Sequence, residues 1–267
     1  MQHEMLFNSI LLDNSGDLTI GSGRNMTRVT ILVKSEKYGG ICLACLDESN
    51  RWIRPIKPGG FAEPDIKMDN GALVEIFDVV DMEFGSPLPI KHHTENMRFV
   101  PESGIKFVKK LNEAEMSALL QEVANSQLMG SVESKYELYD EILKTGCSIV
   151  PVGPIISFDI AYEGDHPRLW FTGKNNSKFD VPCTDLGFCA FIKGKSADFE
   201  KALLHLISFQ NIAELKGKLV YLVIGLTGDS LDENGITRDG KYTPPGSSNE
   251  PRYWPMVIGV LSVPTYF

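Results

Sequence analysis

Short apolar runs separated by turn-forming residues dominate the first part of the chain. Residues 37–40 (KYGG) and 47–50 (DESN) are turn-forming, and the segments around them are rich in apolar and β-branched residues. This pattern predicts four strands, at 28–34 (RVTILVK), 41–47 (ICLACLD), 51–56 (RWIRPI) and 71–84 (GALVEIFDVVDMEF). A compact set of short strands is typical of a small barrel or sandwich.

The middle of the chain changes to helical periodicity. Residues 111–128 (LNEAEMSALLQEVANSQL) place apolar side chains three and four positions apart, and Asn112 with Glu115 resembles a capping box. Residues 134–144 (SKYELYDEILK) predict a second, shorter helix. We expect a helical connector over residues 109–146.

Strand-forming patterns return after Cys147. They predict strands within 147–159, 218–226 and 253–263, a hairpin of 168–173 with 178–184, and a third helix at 198–210. A long polar loop, 227–252, separates the last two strands, and loops of this kind are often functional or disordered.

The order of strands, helices and strands predicts a mostly β protein with an α insertion. We expect a first β-domain at 26–108 and a second at 147–267, the latter with a helix and the long loop. Residues 1–25 are polar and glycine-containing, and we interpret them as a loosely attached arm or as residues that precede a natural start at Met26. An ordinary edge hairpin is the alternative.

Composition and charge narrow the classes of function. The formal net charge is −9, which argues against a protein coated with basic residues for indiscriminate nucleic-acid binding. The five cysteines are irregularly spaced, so we expect a reducing, cytoplasmic setting. No apolar run reaches about 18 residues, so no membrane-spanning helix is expected.

The segment VKSEKYGGICLACLDESNRWIRPI (33–56) combines Ser35-Glu36-Lys37, Gly39-Gly40, an apolar strand and Trp52-Ile53-Arg54-Pro55. In these elements it resembles the opening of a prokaryotic family, the dual OB-fold-containing proteins. HTEN (93–96), RLWF (168–171) and PCTD (182–185) resemble later landmarks of that family. The resemblance implies two small OB-like β-barrels joined by a helical segment, and a role in nucleic-acid binding.

Basic and aromatic residues lie close together near the start of this region. Residues 28–57 hold six basic and three acidic residues, a local surplus of positive charge in an acidic chain. OB-fold proteins bind single strands through cations along the backbone and aromatic rings that stack on bases. The candidate binding residues for single-stranded DNA or RNA are Lys34, Lys37, Tyr38, Trp52, Arg54, Lys57, Arg168 and Trp170.

The stretch RWIRPI (51–56) admits two interpretations. In a strand, alternation places Trp52 with Arg54 on one face and Arg51 with Ile53 on the other, so the two arginines cannot form one clamp. Either Trp52 and Arg54 form a ligand surface, or Trp52 closes a core with the arginine lying over it. Pro55 marks the end of the strand or a sheet edge.

Three motifs are weak. GDSL at 228–231 is typical of an esterase nucleophile, but every histidine precedes it, so no histidine base follows as in that family. An EF-hand in the same loop would have Lys241 at the position that requires a bidentate glutamate, so we reject a calcium site. Cys42 and Cys45 have C-x-x-C spacing, but in a strand they point to opposite faces, so we interpret them as structural. We therefore expect neither a metal nor a cofactor.

Two alternatives to a non-catalytic nucleic-acid-binding module remain. His93 and Glu95, together with Asp185, are candidate catalytic groups of an enzyme acting on a small polar or nucleotide-like substrate. The loop 227–252 could instead dock on a protein partner. The leading hypothesis is the binding module, as an accessory protein in a prokaryotic nucleic-acid or defence pathway.

Overall fold

The computed structural model describes residues 26–37, 39–89, 93–124, 146–152, 158–163, 166–172, 178–194, 207–208, 215–228 and 253–265. Within these ranges the chain is mostly β, with two α-helices, α1 (Glu113–Val123) and α2 (Leu186–Gly194). The strands of the first half are β1 (Met26–Lys37), β2 (Gly40–Asp47), β3 (Trp52–Ile56), β4 (Asp78–Pro87), β5 (Asn96–Phe99) and β6 (Ile105–Lys110). Those of the second half are β7 (Cys147–Pro151), β8 (Phe158–Glu163), β9 (His166–Thr172), β10 (Lys178–Pro182), β11 (Ile207–Ser208), β12 (Leu219–Gly228) and β13 (Tyr253–Val263).

The first five strands close into a barrel. Their order around the ring is β1-β2-β3-β5-β4, and β4 pairs back onto β1. β3 and β5 run parallel, while the other pairs of the ring are antiparallel. β1 closes the ring because it is long: its first residues pair with β4 and its later residues with β2, across an irregularity between Ile31 and Val33. β6 adds to β4 outside the ring.

Alternating apolar side chains fill this barrel. Phe61, in the connection after β3, packs edge-on against Phe99 of β5, with ring centroids 5.1 Å apart. The buried residues of this core are Val29, Ile31, Leu43, Cys45, Phe61, Ile66, Met68, Val74, Val80, Met82, Phe99 and Ile105. Burial of this apolar surface is the main force that holds the ring closed.

The second half repeats the pairing scheme of the first. β7 pairs with β12, β12 with β13, and β8 with β9, which in turn pairs with β10. Beyond the end of β10, Cys183 forms a parallel bridge with Val257 of β13, and Thr184 N donates to Val257 O at 2.9 Å. If the consecutive strands β7 and β8 are taken as two parts of one first strand, the order matches the closed ring, including its parallel contact.

A second apolar core lies between the two halves. It contains Leu32, Val33, Ala44 and Leu46 of the first barrel, Met116 and Leu120 of α1, and Cys147, Ile149, Tyr221, Val223, Leu261 and Val263 of β7, β12 and β13. α1 begins at the predicted capping box, where Asn112 Oδ1 accepts from Glu115 N at 3.0 Å and Glu115 Oε2 accepts from Asn112 N at 2.9 Å. The two halves therefore share a continuous hydrophobic interface.

The structure corrects several predicted elements. The strand predicted at 71–84 begins only at Asp78, because the chain turns at Ile76 and Phe77, where buried Phe77 has φ 68°. Ile207–Ser208 form a strand, so the helix predicted over 198–210 is wrong there. The sequence patterns missed β5, β6 and α2.

Other predictions hold or lie outside the described residues. β12 and β13 match the predicted apolar strands, and β9 pairs with β10 as the predicted hairpin. The arm 1–25, the helix 134–144 and most of the loop 227–252 lie outside the described residues. The domain bounds 26–108, 109–146 and 147–267 stay predictions.

Candidate functional site

Barrels with this strand order bind their ligands across the outer face of the second and third strands, beside the loops that join strands one to two and four to five. In the first barrel those elements are β2, β3, the connection from β1 to β2 and the connection from β4 to β5. Both the Trp52-Arg54 pair and the His93-Glu95 pair lie there.

The second half of the chain covers much of this face. Ala44 and Leu46 of β2 are buried in the core between the halves, and Trp52 of β3 packs against that core while remaining partly exposed. Ile53 packs into the barrel interior on the opposite face. The predicted alternation of β3 is confirmed, and Trp52 contributes to the interface between the halves.

Arg54 belongs to a polar cluster at the edge of this interface. Its backbone N donates to Glu95 O at 2.9 Å, which is part of the parallel contact between β3 and the segment before β5. Its Nε donates to Asn96 Oδ1 at 2.7 Å and lies 4.0 Å from Glu95 Oε1. Its two terminal nitrogens make no hydrogen bond to the described residues.

Glu95 is the centre of the cluster. Its Oε1 lies 3.0 Å from His93 Nδ1, and its Oε2 accepts from Gly146 N, the residue before β7, at 3.0 Å. The Glu95 and His93 side chains are only 2% and 7% exposed. Burial by itself would raise the pKa of Glu95, but the hydrogen bonds with His93 and Gly146 and the nearby Arg54 charge outweigh burial and lower it.

The backbone at Gly146 passes close to this pair. A Cβ atom at Gly146 would lie 2.3 Å from His93 Nδ1 and 2.7 Å from Glu95 Oε1, too close for any larger residue without movement. The adjoining Cys147 is fully buried, and burial and the Glu95 charge raise the pKa of its thiol to about 12. The cluster thus fastens the β4–β5 segment of one barrel to the first strand of the second half.

A pocket opens beside the cluster. Arg54, Ser35, Cys42, Thr184 and Met256 line it, so the pocket draws on β1, β2, β3, β13 and the segment between β10 and α2. Arg54 is 21% exposed and supplies a cation with terminal N–H donors, while Ser35 and Thr184 supply hydroxyl groups. Glu36 also lines the pocket, so its lining combines donors suited to an anionic oxygen with one carboxylate.

The positive surplus predicted for residues 28–57 is largely cancelled in the folded chain. Lys34 pairs with Glu75 at 2.7 Å, Lys57 pairs with Asp65, and Arg28 pairs with Asp81 at 2.9 Å. These carboxylates come from outside residues 28–57, so a count over that segment alone could not include them. Lys34 is also only 14% exposed, which leaves Arg54 as the better placed cation.

The remaining predicted binding residues are only partly described. Lys37 lies at the end of β1, but its side chain, Tyr38 and the side chain of Trp170 are outside the described structure. Arg168 of β9 is partly exposed, on the strand that corresponds to β2 of the first barrel. The register places Asp159 and Asp180 beside Trp170, so acidic positions flank this residue in the sheet.

The structure brings together two of the three candidate catalytic residues. His93 and Glu95 contact each other, whereas the buried Asp185 side chain accepts hydrogen bonds from Phe188 N at 2.6 Å and Val260 N at 3.0 Å. Asp185 therefore caps α2 and fixes β13. Burial raises its pKa to about 6, although the backbone donors act in the opposite direction.

The cysteine prediction is confirmed for the C-x-x-C pair. Cys45 is buried in the barrel core, where its Sγ donates to Ile53 O at 3.2 Å, and Cys42 lines the pocket on the other face. Neither cysteine forms a disulfide. In the part of the chain that the structure describes, no three His, Cys, Asp or Glu side chains group as metal ligands.

Sequence reasoning missed Asn96, Gly146 and Cys147. Asn96 is fully buried, and its Nδ2 has no hydrogen-bond partner among the described residues. Asn96 ends the HTEN segment, which gave a local signal, but nothing in the sequence around Gly146 connects it to residue 95.

No helix among the described residues is long and apolar enough to cross a membrane.

Comparison with known proteins gives a family and a loose structural neighbour. The family described as Dual OB-containing domain matches residues 27–223, more than half of the chain. Among solved structures, the tetrameric p202 HIN2 matches with 8% identity and a TM-score of 0.28, covering 76% of this chain and 80% of that one. This superposition is too loose to carry an argument. A search of curated proteins finds no significant match.

Proposed function

The chain belongs to the dual OB-containing domain family, and from this premise we propose that it binds single-stranded nucleic acid without catalysing a reaction on it. The observation that carries the proposal is the closed ring β1-β2-β3-β5-β4 with its parallel β3–β5 contact, the strand order of the OB-fold. OB-folds of this type bind oligonucleotides by a cationic groove combined with stacking side chains.

We place the phosphate contact at Arg54 rather than at Trp52. The terminal nitrogens of Arg54 are not engaged by described residues, and the guanidinium borders the pocket that Ser35 and Thr184 line. A planar guanidinium presents paired donors that match phosphate oxygens. Trp52, in contrast, already packs against the interface core and has less surface to offer a base.

The net charge of −9 limits the expected binding to a local contact. Fewer neutralised phosphates release fewer counterions, so the salt dependence is expected to be shallow compared with that of a strongly basic protein. A shallow salt dependence would distinguish a single strand bound at one pocket from non-specific adsorption over a basic surface.

The test is a fluorescence-anisotropy titration with single-stranded DNA and RNA at about 50 mM and about 200 mM salt. We expect saturable binding that weakens as salt rises. Arg54→Gln should weaken it several-fold. Arg51→Gln is the matched control, because Arg51 lies three residues away, is 78% exposed and pairs with Asp47.

The outcomes separate the parts of the proposal. No binding of either nucleic acid at low salt refutes the function. Binding that Arg54→Gln and Arg51→Gln reduce equally refutes the placement of the contact at Arg54, provided that both variants melt cooperatively. Binding that is indifferent to salt refutes the phosphate contact itself.

A further inference from the structure

Two cysteines lie together where β10 ends and α2 begins. Cys183 follows β10 directly, and Cys189 lies in the first part of α2, where its backbone N donates to Asp185 O at 2.9 Å. The Cys189 Sγ donates to the backbone oxygen of Cys183 at 3.4 Å, so the side chain of Cys189 lies directly against Cys183. Both are free thiols in this structure.

The environments of the two sulfurs differ. Cys183 is fully buried, whereas Cys189 is partly exposed. The neighbouring Cys183 thiol lowers the pKa of Cys189, and the charge of Lys193 lowers it further. Burial and the nearby carboxylates of Asp185 and Glu36 raise it, but the net pKa of Cys189 is still lowered. Burial raises the pKa of Cys183. A partly exposed cysteine with a lowered pKa, in contact with a buried cysteine, is the arrangement of a peroxide-oxidisable pair.

We propose that Cys183 and Cys189 form a redox-sensitive dithiol that peroxide converts to a disulfide. In the first step the Cys189 thiolate attacks a peroxide oxygen, the O–O bond breaks, and Cys189 sulfenic acid and hydroxide result. In the second step the Cys183 sulfur attacks the Cys189 sulfur, the S–O bond breaks, and the disulfide forms with release of water. The two sulfurs lose two electrons in all, and hydrogen peroxide is reduced to two molecules of water.

The bond would close the segment that joins the two halves at the pocket. Between the two cysteines, Thr184 O accepts from Glu36 N of β1 at 2.9 Å, and Thr184 N donates to Val257 O of β13 at 2.9 Å. Asp185 forms a bridge with Ser35. The redox state of the pair is therefore set beside residues that line the pocket, although the proposal does not depend on what that pocket binds.

Peptide mapping of the full chain tests the proposal. The native protein is treated with hydrogen peroxide and then unfolded in the presence of N-ethylmaleimide, which blocks the remaining thiols. The digest is analysed by mass spectrometry without reduction. We expect a cross-linked species that joins Cys183 to Cys189, a mass two units lower than the dithiol form, and reversal by dithiothreitol. Cys189→Ser should abolish this species.

Cys42→Ser is the matched control, because Cys42 is partly exposed and lines the neighbouring pocket. It should leave the disulfide unchanged. Three results would overturn the proposal. Both cysteines could be recovered as alkylated, unoxidised thiols after peroxide treatment. Cys189 could accumulate as a dimedone-trapped sulfenic acid without a disulfide, or the cross-link could join Cys189 to Cys42. The mapping uses the unmodified protein, so it remains decisive even if Cys189→Ser does not fold.

Discussion

Removing the Glu95 carboxylate should destabilise the protein far more than removing an exposed one. The carboxylate accepts hydrogen bonds from Gly146 N and His93 Nδ1, each at 3.0 Å, and Arg54 Nε lies 4.0 Å away. In Glu95→Ala these three groups lose their common partner inside a buried cluster. The Gly146 N–H then has no acceptor unless water enters.

The magnitude follows from the number of contacts. A hydrogen bond to a charged group contributes about 1.5–3 kcal/mol, and Glu95 accepts two of them. Breaking one side of a buried charged pair costs about 3–5 kcal/mol, which agrees with that sum. Glu95→Gln should cost less, roughly 1–2 kcal/mol, because the amide can accept from Gly146 and donate to a neutral His93.

Urea denaturation followed by tryptophan fluorescence measures the free energy of unfolding. Glu75→Ala is the control: it removes a carboxylate that pairs with Lys34 but is 50% exposed, and such pairs contribute about 1 kcal/mol or less. If Glu95→Ala is no more destabilising than Glu75→Ala, then the cluster does not fasten the two halves as described.

The dependence on pH provides a second check. The folded state lowers the pKa of Glu95. This carboxylate therefore stabilises the protein fully at pH values above the ordinary glutamate pKa of about 4.3, and its contribution is lost as pH falls through the folded pKa. The difference in stability between the wild type and Glu95→Gln should therefore narrow in acid. A difference that widens below pH ~4 would contradict this account.

Three further predictions concern the interface between the halves. Gly146→Ala should cost about 1–3 kcal/mol in urea denaturation, because the added Cβ meets His93 and Glu95; an unchanged midpoint would contradict it. Asp185→Asn should lose the bond to Val260 N and cost about 1–3 kcal/mol. Because the folded pKa of Asp185 is raised to about 6, wild-type stability should fall as pH rises from ~4 to ~6, and Asp185→Asn should flatten that fall; an identical pH profile would refute the shift. Trp52→Ala should lower the thermal midpoint clearly and cost roughly 2–4 kcal/mol, whereas Trp52→Phe should cost less than about 1.5; equal effects would mean that the ring does not pack on the interface core.

The elements with a clear local period could be predicted from the sequence. β12 and β13 are long apolar runs whose period and length identify strands without reference to the rest of the chain. α1 begins at a capping box that lies within four consecutive residues. The placement of Trp52 and Ile53 on opposite faces follows from the alternation of side chains along any strand.

Shorter and mixed segments could not be assigned in this way. β5 (NMRF) has four residues and pairs in parallel with β3 only because the barrel closes, so its strand character comes from its neighbours. α2 (LGFCAFIKG) is almost continuously apolar, and its helical start depends on Asp185, which also holds β13. The proposed redox pair could not be predicted from the sequence either, since the spacing of Cys183 and Cys189 matches no recognised motif.

The sequence alone determined the periods, the turns and the resemblance that indicates two OB-like barrels. Tertiary structure decided which charges remain available, because Lys34 and Lys57 find Glu75 and Asp65 only after the chain folds back on itself. It also decided that Glu95 meets Gly146, fifty-one positions away along the chain. A local pattern reports the face on which a residue lies, but the partner across that face is set by barrel closure and by the packing of one half on the other.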